Sequence, residues 1–231
     1  MGKVIAVIGA GGKTTTLLTL GNYLKERRVL LTTTTHIYPI VPPTSRELLQ
    51  DPTEEQLLYS LSQPGIVCAG QRVSEKKLSG LSGDLLEKAA AIADWTICEA
   101  DGARMHPMKL HRDGEPVIPE NTDLCVIVAG LSAMGKTVLQ AIHRYDRNPL
   151  WRENPGILVD TEEMLFCLEE ATKKVPVSCR QIRILLNQLD GTADPEKGRA
   201  IEWILNEKGF PCRAGSLQKQ GRELSRWLLE E

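Results

Sequence analysis

A glycine-rich segment near the start of the chain contains the groups that a polyphosphate-binding loop needs. It reads GAGGKTT over residues 9–15 and follows the apolar run KVIAVIG. Glycines let backbone amides approach an anion, a helix start adds its positive end, a lysine adds a full charge, and a threonine hydroxyl can ligate Mg²⁺. The segment therefore predicts a phosphate loop. The expected contacts come from Gly9, Ala10, Gly11, Gly12, Lys13, Thr14 and Thr15.

Two other interpretations of this segment stay open at the level of sequence. The dinucleotide fingerprint G-x-G-x-x-G also follows a strand, but it needs a small residue where the chain has Thr14, and it makes no use of Lys13. No acidic residue closes the next apolar run to hold a ribose. The other alternative is a glycine-rich turn that binds no ligand.

A second segment, GLSAMGKT at residues 130–137, fits the strict phosphate-loop pattern G-x-x-x-x-G-K-[ST]. The first segment does not fit it, because Val7 stands where the pattern has its first glycine. However, the helix expected after the second segment is short, and the bulky Met134 falls within the loop. We therefore favour the first segment and interpret the second as a loop at the carboxyl end of a central strand, the edge where substrates also bind.

Polar residues end two neighbouring apolar runs. Glu99 and Asp101 close WTICEAD, where a carboxylate can hold Mg²⁺ or its waters. TTTTH at residues 32–36 ends the second predicted strand, at the expected position of the γ-phosphate and the attacking group. A solvated strand end and ordinary β-branched strand residues are the alternatives. The predicted metal ligands are Thr14, Glu99 and Asp101, and the predicted catalytic residues are Lys13, Thr34, His36 and Asp101.

Two further groups complete the predicted site. Arg104, Lys109 and His111 follow the acids and either neutralise an anionic substrate or lie in a solvated loop. The run ILLNQLDG ends in N-Q-x-D, near the N-K-x-D of many GTP-binding proteins. There Asn187 would fix the loop and Asp190 would accept hydrogen bonds from guanine, whereas a plain Asn/Asp turn is the alternative.

Strands alternate with helices along the chain. This predicts an α/β fold with a doubly wound, mostly parallel sheet in three layers, of the Rossmann-like type seen in P-loop NTPases. We expect one domain over residues 1–231, with 151–231 as the candidate C-terminal subdomain and a hinge near 148–156. Strands are expected at 3–9, 29–35, 65–70, from 95, at 123–130, 182–187 and 211–215, and helices at 13–27, 44–50, 53–61, 83–93, 161–172, 194–207 and the C-terminus.

Composition narrows the functional classes. The chain has 231 residues and a net charge of −2 without a long basic run, which argues against a nucleic-acid partner. The six cysteines are scattered without a C-x-x-C pair, as in a protein of a reducing compartment. Since no stretch approaches the ~20 apolar residues of a membrane span, we expect no membrane partner and a cytoplasmic location.

Motifs spread over most of the chain together resemble the YqeC-like family. They are VIGAGGKTTTL, TTTTHI, EADGARMHPMKLH with EPVIP, VAGLSAMGK, the HR pair at 143–144 and LLNQLD, in this order between residues 4 and 190. The resemblance implies a cytosolic nucleotide-binding protein that helps to mature or insert the cofactor of selenium-dependent molybdenum hydroxylases. Its implied partners are the hydroxylase or its cofactor-maturation proteins. It places the phosphate loop on residues 9–15 and the acidic motif on 99–101, and it makes the strict pattern at 130–137 coincidental.

These observations predict a Mg²⁺-dependent protein that binds and hydrolyses ATP or GTP. An ATP-dependent ligase or transferase is one alternative, since the short loop also looks like that of the Mur-type peptide ligases over about ten residues. A non-catalytic, nucleotide-gated carrier or scaffold is the other.

Overall fold

The computed structural model describes residues 2–230, in which strands alternate with helices. The strands are Lys3–Gly9 (β1), Arg28–Thr33 (β2), Ser45–Gln50 (β3), Gly65–Ser74 (β4), Lys77–Ser79 (β5), Trp95–Glu99 (β6), Met108–Lys109 (β7), Leu124–Gly130 (β8), Ile142–His143 (β9), Gln181–Asn187 (β10) and Cys212–Ala214 (β11). The helices are Lys13–Tyr23 (α1), Glu54–Leu61 (α2), Gly83–Ile92 (α3), Val138–Ala141 (α4), Pro149–Glu153 (α5), Thr161–Thr172 (α6), Pro195–Glu207 (α7) and Leu217–Leu229 (α8).

Nine of the described strands form one sheet in the order β11-β10-β8-β1-β6-β2-β4-β3, with β5 beside β4. All its pairings are parallel except that of β4 with β5. This confirms the predicted doubly wound, mostly parallel fold. The sheet places β1 between β6 and β8, so the glycine-rich loop lies at a central position of its carboxyl edge, where open α/β sheets bind ligands.

Helices cover both faces of this sheet. Along β1, Ile5 and Val7 point into an apolar layer with α1 and α8, whereas Ala6 and Ile8 point into the layer that contains α6 and α7. Side chains that alternate in this way between two buried layers explain why the strands read as continuous apolar runs. Burial of each large aliphatic side chain contributes roughly 1.5–3 kcal/mol, which holds the central strands rigidly beneath the loops.

The segment 44–50 was expected to be helical, and this prediction is wrong. Residues Ser45–Gln50 form the edge strand β3, which pairs in parallel with β4. Leu48 and Leu49 are half-buried there. The local sequence SRELLQ suits a helix, but pairing with β4 and burial of its leucines override that weak preference.

Several element boundaries also differ from those expected. The helix expected at 13–27 ends at Tyr23, and Arg28 already pairs with Gly65 as the first residue of β2. The same strand ends at Thr33, because the Thr33 hydroxyl accepts from the amide of Thr35 at 3.0 Å and turns the chain. The short strands β5, β7 and β9 and the helix α5 were not expected from the sequence.

No helix within residues 2–230 is both long enough and apolar enough to span a membrane.

Candidate functional site

The glycine-rich loop leaves β1 and begins α1 at the carboxyl edge of the sheet. Gly9, Gly11 and Gly12 have φ values of +96°, +69° and +138°, a region that glycine enters without steric cost. The amide of Ala10 donates to the carbonyl of Val128 at 2.8 Å, which anchors the start of the loop to β8. The loop conformation therefore depends on glycine at these three positions.

The first turn of α1 leaves its backbone amides available. The amides of Gly12, Lys13, Thr14 and Thr15 have no acceptor within hydrogen-bond distance anywhere in the described chain, and no side chain caps the helix. Orphan amides at a helix start, together with the positive end of the helix dipole, attract anions. This arrangement can accept a polyphosphate chain without rearranging the backbone.

Lys13, the first residue of α1, is buried, with 5% of its surface exposed. Its Nζ donates to the carbonyl oxygen of Gly9 at 2.9 Å and lies 3.1 Å from Asp101 Oδ1 and 3.6 Å from Glu99 Oε1. The ammonium group is thus held at the loop by one carbonyl and two carboxylates. A bound anion would find a full positive charge already in position.

Thr14 and Glu99 lie side by side at the end of β6. The Thr14 hydroxyl donates to Glu99 Oε2 at 3.1 Å. Burial raises the pKa of Glu99, although Lys13 and Thr14 act in the opposite direction. One hydroxyl and one carboxylate suit Mg²⁺, which takes its remaining ligands from phosphates and water. Within residues 2–230, no group of three or more His, Cys, Asp or Glu side chains could hold a metal ion, so the fit depends on such outside ligands.

Asp101 is surrounded by donors. Its Oδ2 accepts from the Gly9 amide at 2.8 Å and from His111 Nε2 at 2.6 Å, and Lys109 Nζ lies 3.1 Å away. Burial alone would raise the pKa of Asp101, but Lys13, His111 and Lys109 outweigh it and hold this pKa well below its usual range. These donors converge on Oδ2, whereas Oδ1 makes no hydrogen bond and lies 3.1 Å from Lys13 Nζ. Asp101 ties the loop to the chain that follows β6.

The ends of β2 and β6 meet beside Glu99. The amide of Thr34 donates to the carbonyl of Glu99 at 3.0 Å. The Thr34 hydroxyl donates to the carbonyl of Val117 at 2.6 Å. Thr34 therefore lies next to the Thr14–Glu99 pair, as the sequence predicted for a residue at this edge. His36 is exposed and lies farther along, just before the bridge between Ile37 and Leu78.

Asn187 joins three separate loops. Its Nδ2 donates to the carbonyl of Gly11 at 2.9 Å, and its Oδ1 accepts from the amide of Leu217 at 3.0 Å. Asp190 follows on the surface, where a hydrogen bond from Ser216 lowers the pKa of its carboxyl, opposed by burial. Lys219 Nζ lies 3.4 Å from Asp190 Oδ2. Asn187 thus fixes the glycine-rich loop, and Asp190 lies on the surface beside the start of α8.

The segment 130–137 packs against the glycine-rich loop instead of forming a second one. Several of its amides have protein acceptors: Gly130 donates to Pro107 at 2.8 Å, Gly135 to Val159 at 2.9 Å and Lys136 to Ala133 at 3.1 Å. The amides of residues 131–133 have none in the described chain. Thr137 caps α4, a helix of four residues, and Lys136 is exposed. Because Lys136 is exposed, whereas Lys13 is held at its loop by the Gly9 carbonyl, the geometry favours the first segment.

Close packing explains the glycine at position 130. A Cβ atom there would lie 2.4 Å from Gln188 Oε1 and 3.1 Å from the Cα of Gly11. Gln188 in turn accepts a hydrogen bond from the Ser132 hydroxyl at 2.6 Å. The sequence does not reveal the packing of Gly130 against Gly11 and Gln188, because these residues are distant in the chain and form no short motif.

A half-buried acid, Glu115, was also missed. Arg144 donates to it through both terminal nitrogens, one bond measuring 3.0 Å, and Lys109 Nζ and Arg112 Nε lie 3.3 Å and 2.9 Å away. Burial opposes ionisation, but Arg144 and Lys109 prevail and lower the pKa of Glu115 to about 2. The sequence signals are the HR pair at 143–144 and the EPVIP motif, which begins with Glu115. Lys109 therefore bridges Asp101 and Glu115 in one buried charge network.

Comparison with known proteins identifies the family. The family described as YqeC protein matches residues 5–146, which include the glycine-rich loop, Glu99, Asp101 and the segment 130–137. The chain is also 30% identical over 194 residues to the uncharacterized protein YqeC of Escherichia coli (strain K12), and the alignment covers 78% of this chain and 73% of that protein. The chain belongs to the YqeC family.

Proposed function

We propose that this chain binds a nucleoside triphosphate with Mg²⁺ and hydrolyses it. The observation that supports this proposal is the first turn of α1, which has four unbonded amides, together with the buried ammonium of Lys13 beside the Gly9 carbonyl. Few ligands other than a polyphosphate need that many donors and a full positive charge at one helix start.

Each residue of the site has a role in this proposal. The amides of residues 12–15 and Lys13 bind the β- and γ-phosphates, and Thr14 with Glu99 holds Mg²⁺. The metal would neutralise developing charge on the phosphate oxygens. Asp101 positions Lys13 at 3.1 Å, and Thr34 and His36 orient the attacking water from the end of β2. Catalysis then consists mainly of positioning and charge stabilisation.

The nucleotide is ATP or GTP, and Asp190 is the residue that would distinguish them. Its carboxylate would accept two hydrogen bonds from guanine but would face no matching donors on adenine. Binding of guanine would displace Lys219, which lies 3.4 Å from Asp190.

We further propose that hydrolysis serves the maturation of selenium-dependent molybdenum hydroxylases, in the cytoplasm. Membership of the YqeC family and the motif order described above support this role. The partner would be the hydroxylase or a protein that matures its cofactor. Co-purification of the protein with such an enzyme in the presence and absence of nucleotide tests this part separately.

Calorimetric titration of ATP and GTP with Mg²⁺ tests the proposed site. Lys13→Ala should weaken binding by roughly 10–100-fold, because a charge-assisted hydrogen bond contributes about 1.5–3 kcal/mol. Lys136→Ala is the matched control, since it removes the lysine of the strict pattern and should leave the affinity unchanged. Equal losses in both variants, or no binding by the parent, would refute the proposal. Asp190→Ala should abolish a preference for GTP if the parent has one.

A turnover assay separates hydrolysis from a non-catalytic switch. If the parent releases phosphate and Lys13→Ala does not, the protein is a hydrolase. If both proteins lack turnover although the parent binds tightly, the nucleotide-gated scaffold is the better account. A ligase or transferase is the remaining candidate, and the exposed side chain of Arg104, which stands beside the site, is the observation that favours it.

A further inference from the structure

Two histidines and two arginines cluster beside the glycine-rich loop. They are Arg104, His106, His143 and Arg144, and we call this cluster the basic corner. The rings of His106 and His143 stack with their centroids 5.5 Å apart and their planes inclined by 30°. The pairing of β7 with β9 holds the two segments together by placing Lys109 opposite His143.

The basic corner is joined directly to the glycine-rich loop. The amide of Gly11 donates to the carbonyl of His106 at 3.2 Å, and the amide of Gly130 donates to the carbonyl of the next residue, Pro107, at 2.8 Å. A molecule bound at the corner would therefore lie next to whatever the loop binds. Neither histidine nor either arginine has a role in the triphosphate site described above.

Positive charge in the corner exceeds the negative charge that faces it. Glu115 is engaged by Arg144, Lys109 and Arg112 together. Arg104 is exposed and forms an ion pair with no acidic side chain in the described part of the chain. Its guanidinium is therefore available to bind an anion through two parallel hydrogen bonds.

The histidines add hydrogen-bonding groups of a definite kind. His106 Nδ1 lies 3.1 Å from the carbonyl oxygen of Arg104, so this nitrogen carries a proton. Burial lowers the pKa of His143 to about 4, and the charges of Arg144 and Lys109 act in the same direction. The corner thus combines an arginine fork with two stacked imidazoles, of which that of His143 is neutral at neutral pH.

Three residues of this region also have backbone conformations that are unusual for their type. Arg104, Met105 and Arg144 have φ values of +46°, +64° and +63°. Non-glycine residues are held in this region at a cost, and such residues concentrate at functional sites.

We propose that the basic corner binds the phosphate-type oxyanion of a second substrate, separate from the nucleoside triphosphate. A phosphate group offers three oxygens, two of which can pair with the guanidinium of Arg104 while the third faces the stacked imidazoles, whereas a carboxylate offers only two. The proposal deepens the proposed function, on which it rests for what occupies the neighbouring loop. It makes the chain a two-substrate protein in which the second anion lies beside the γ-phosphate.

Nuclear magnetic resonance of the histidine rings tests this proposal, because the chain has 4 histidines. The protein is saturated with Mg²⁺ and a non-hydrolysable triphosphate and then titrated with inorganic phosphate or, separately, with glycerol phosphate. The ring signals of His106 and His143 should shift saturably and by more than those of His36 and His111. Tighter binding of the ester identifies an organic phosphate as the ligand, and equal binding identifies inorganic phosphate.

Arg104→Ala should weaken phosphate binding by roughly tenfold or more. Arg180→Ala is the control, because Arg180 is exposed just before β10, at the amino ends of the strands and away from the basic corner. The phosphate affinity of this variant should equal that of the parent. An unchanged affinity in Arg104→Ala, or a parent whose His106 and His143 signals do not respond, would overturn the proposal.

The same titration on Lys13→Ala without nucleotide separates this proposal from the proposed function. A phosphate response that persists in Lys13→Ala supports the basic corner even if no triphosphate binds to the loop. A response that disappears with Lys13 assigns the phosphate to the loop and removes the corner as a site.

Discussion

The buried carboxylate of Asp101 carries the strongest prediction for stability. The substitution Asp101→Asn keeps the shape of the side chain and removes its charge. In the parent, this carboxylate faces Lys13 and Lys109, each at 3.1 Å, and His111 at 2.6 Å, with no exposed surface on its side chain. The variant would leave two buried lysines with one counter-charge fewer.

The expected cost follows from the remaining contacts. Removal of one partner from a buried ion pair typically costs about 3–5 kcal/mol. Glu99 still lies 3.6 Å from Lys13, and Glu115 lies 3.3 Å from Lys109, so both cations keep a partial counter-charge. We therefore expect a loss of about 3 kcal/mol in the free energy of unfolding, at the lower end of that range.

Urea unfolding monitored by circular dichroism measures this loss as a lower midpoint at constant slope. Asp94→Asn is the matched control, since it breaks a surface pair in which Asp94 lies 2.6 Å from Arg28 and both side chains are about one third exposed. The control should lose less than about 1 kcal/mol. Equal losses in the two variants, or a loss below about 1 kcal/mol for Asp101→Asn, would refute the role given to the buried network.

The contribution of Asp101 to stability should also depend on pH in a definite direction. The pKa of Asp101 is lowered in the folded protein, so its contribution to stability is present above the unfolded pKa of about 3.9 and is lost as the pH falls below it. The parent should therefore lose stability more steeply than Asp101→Asn on acidification below about pH 4. Parallel acid unfolding curves for the two proteins would contradict this assignment.

Three further predictions concern the loop and the metal position. Gly12→Ala should reduce both stability and triphosphate affinity, because φ is +138° and the new Cβ would lie 2.2 Å from Asn187 Nδ2. Gly114→Ala is the control, because φ is +75° there but the new Cβ would have no atom within 4 Å, so this variant shows the backbone cost alone. Thermal unfolding and triphosphate binding are measured for both variants. Thr14→Ala should weaken binding of the triphosphate with Mg²⁺ but not without it, and calorimetry in the presence of a chelator provides the comparison. Burial raises the pKa of Glu99, so affinity for the Mg²⁺ complex should fall as the pH is lowered and this carboxylate takes up a proton. Glu99→Gln should show no such pH dependence. A parent whose affinity is as independent of pH as that of the variant would count against a metal beside Glu99.

The elements that form the centre of the site could be predicted because their signals are local. The apolar run of β1, the glycines and Lys13 lie within a few consecutive residues, and their order fixes a strand, a turn and a helix start. The helix at 161–172 was predicted with the observed bounds for the same reason, since Asp160 and Glu163 form a capping box at its start. The position of Glu99 beside Thr14 followed from parallel strands that end at one edge.

The remaining features depend on contacts between distant parts of the chain. The sequence 45–50 becomes a strand only because β4 offers it an edge for pairing. The amide of Asn187 reaches Gly11 across 176 positions, and no single-sequence pattern specifies that contact. The charge network around Glu115 likewise forms when the segments 108–117 and 142–147 meet. Such contacts are set by the packing of the whole sheet.

The central claim is that the first turn of α1 binds the polyphosphate tail. Backbone amide spectra of the labelled protein, recorded during titration with Mg²⁺ and a non-hydrolysable triphosphate, test it most directly. The amide signals of Gly12, Lys13, Thr14 and Thr15 should show the largest shifts, because these four amides have no partner elsewhere in residues 2–230. Largest shifts at Gly135 and Lys136, with those four signals unmoved, would contradict the account.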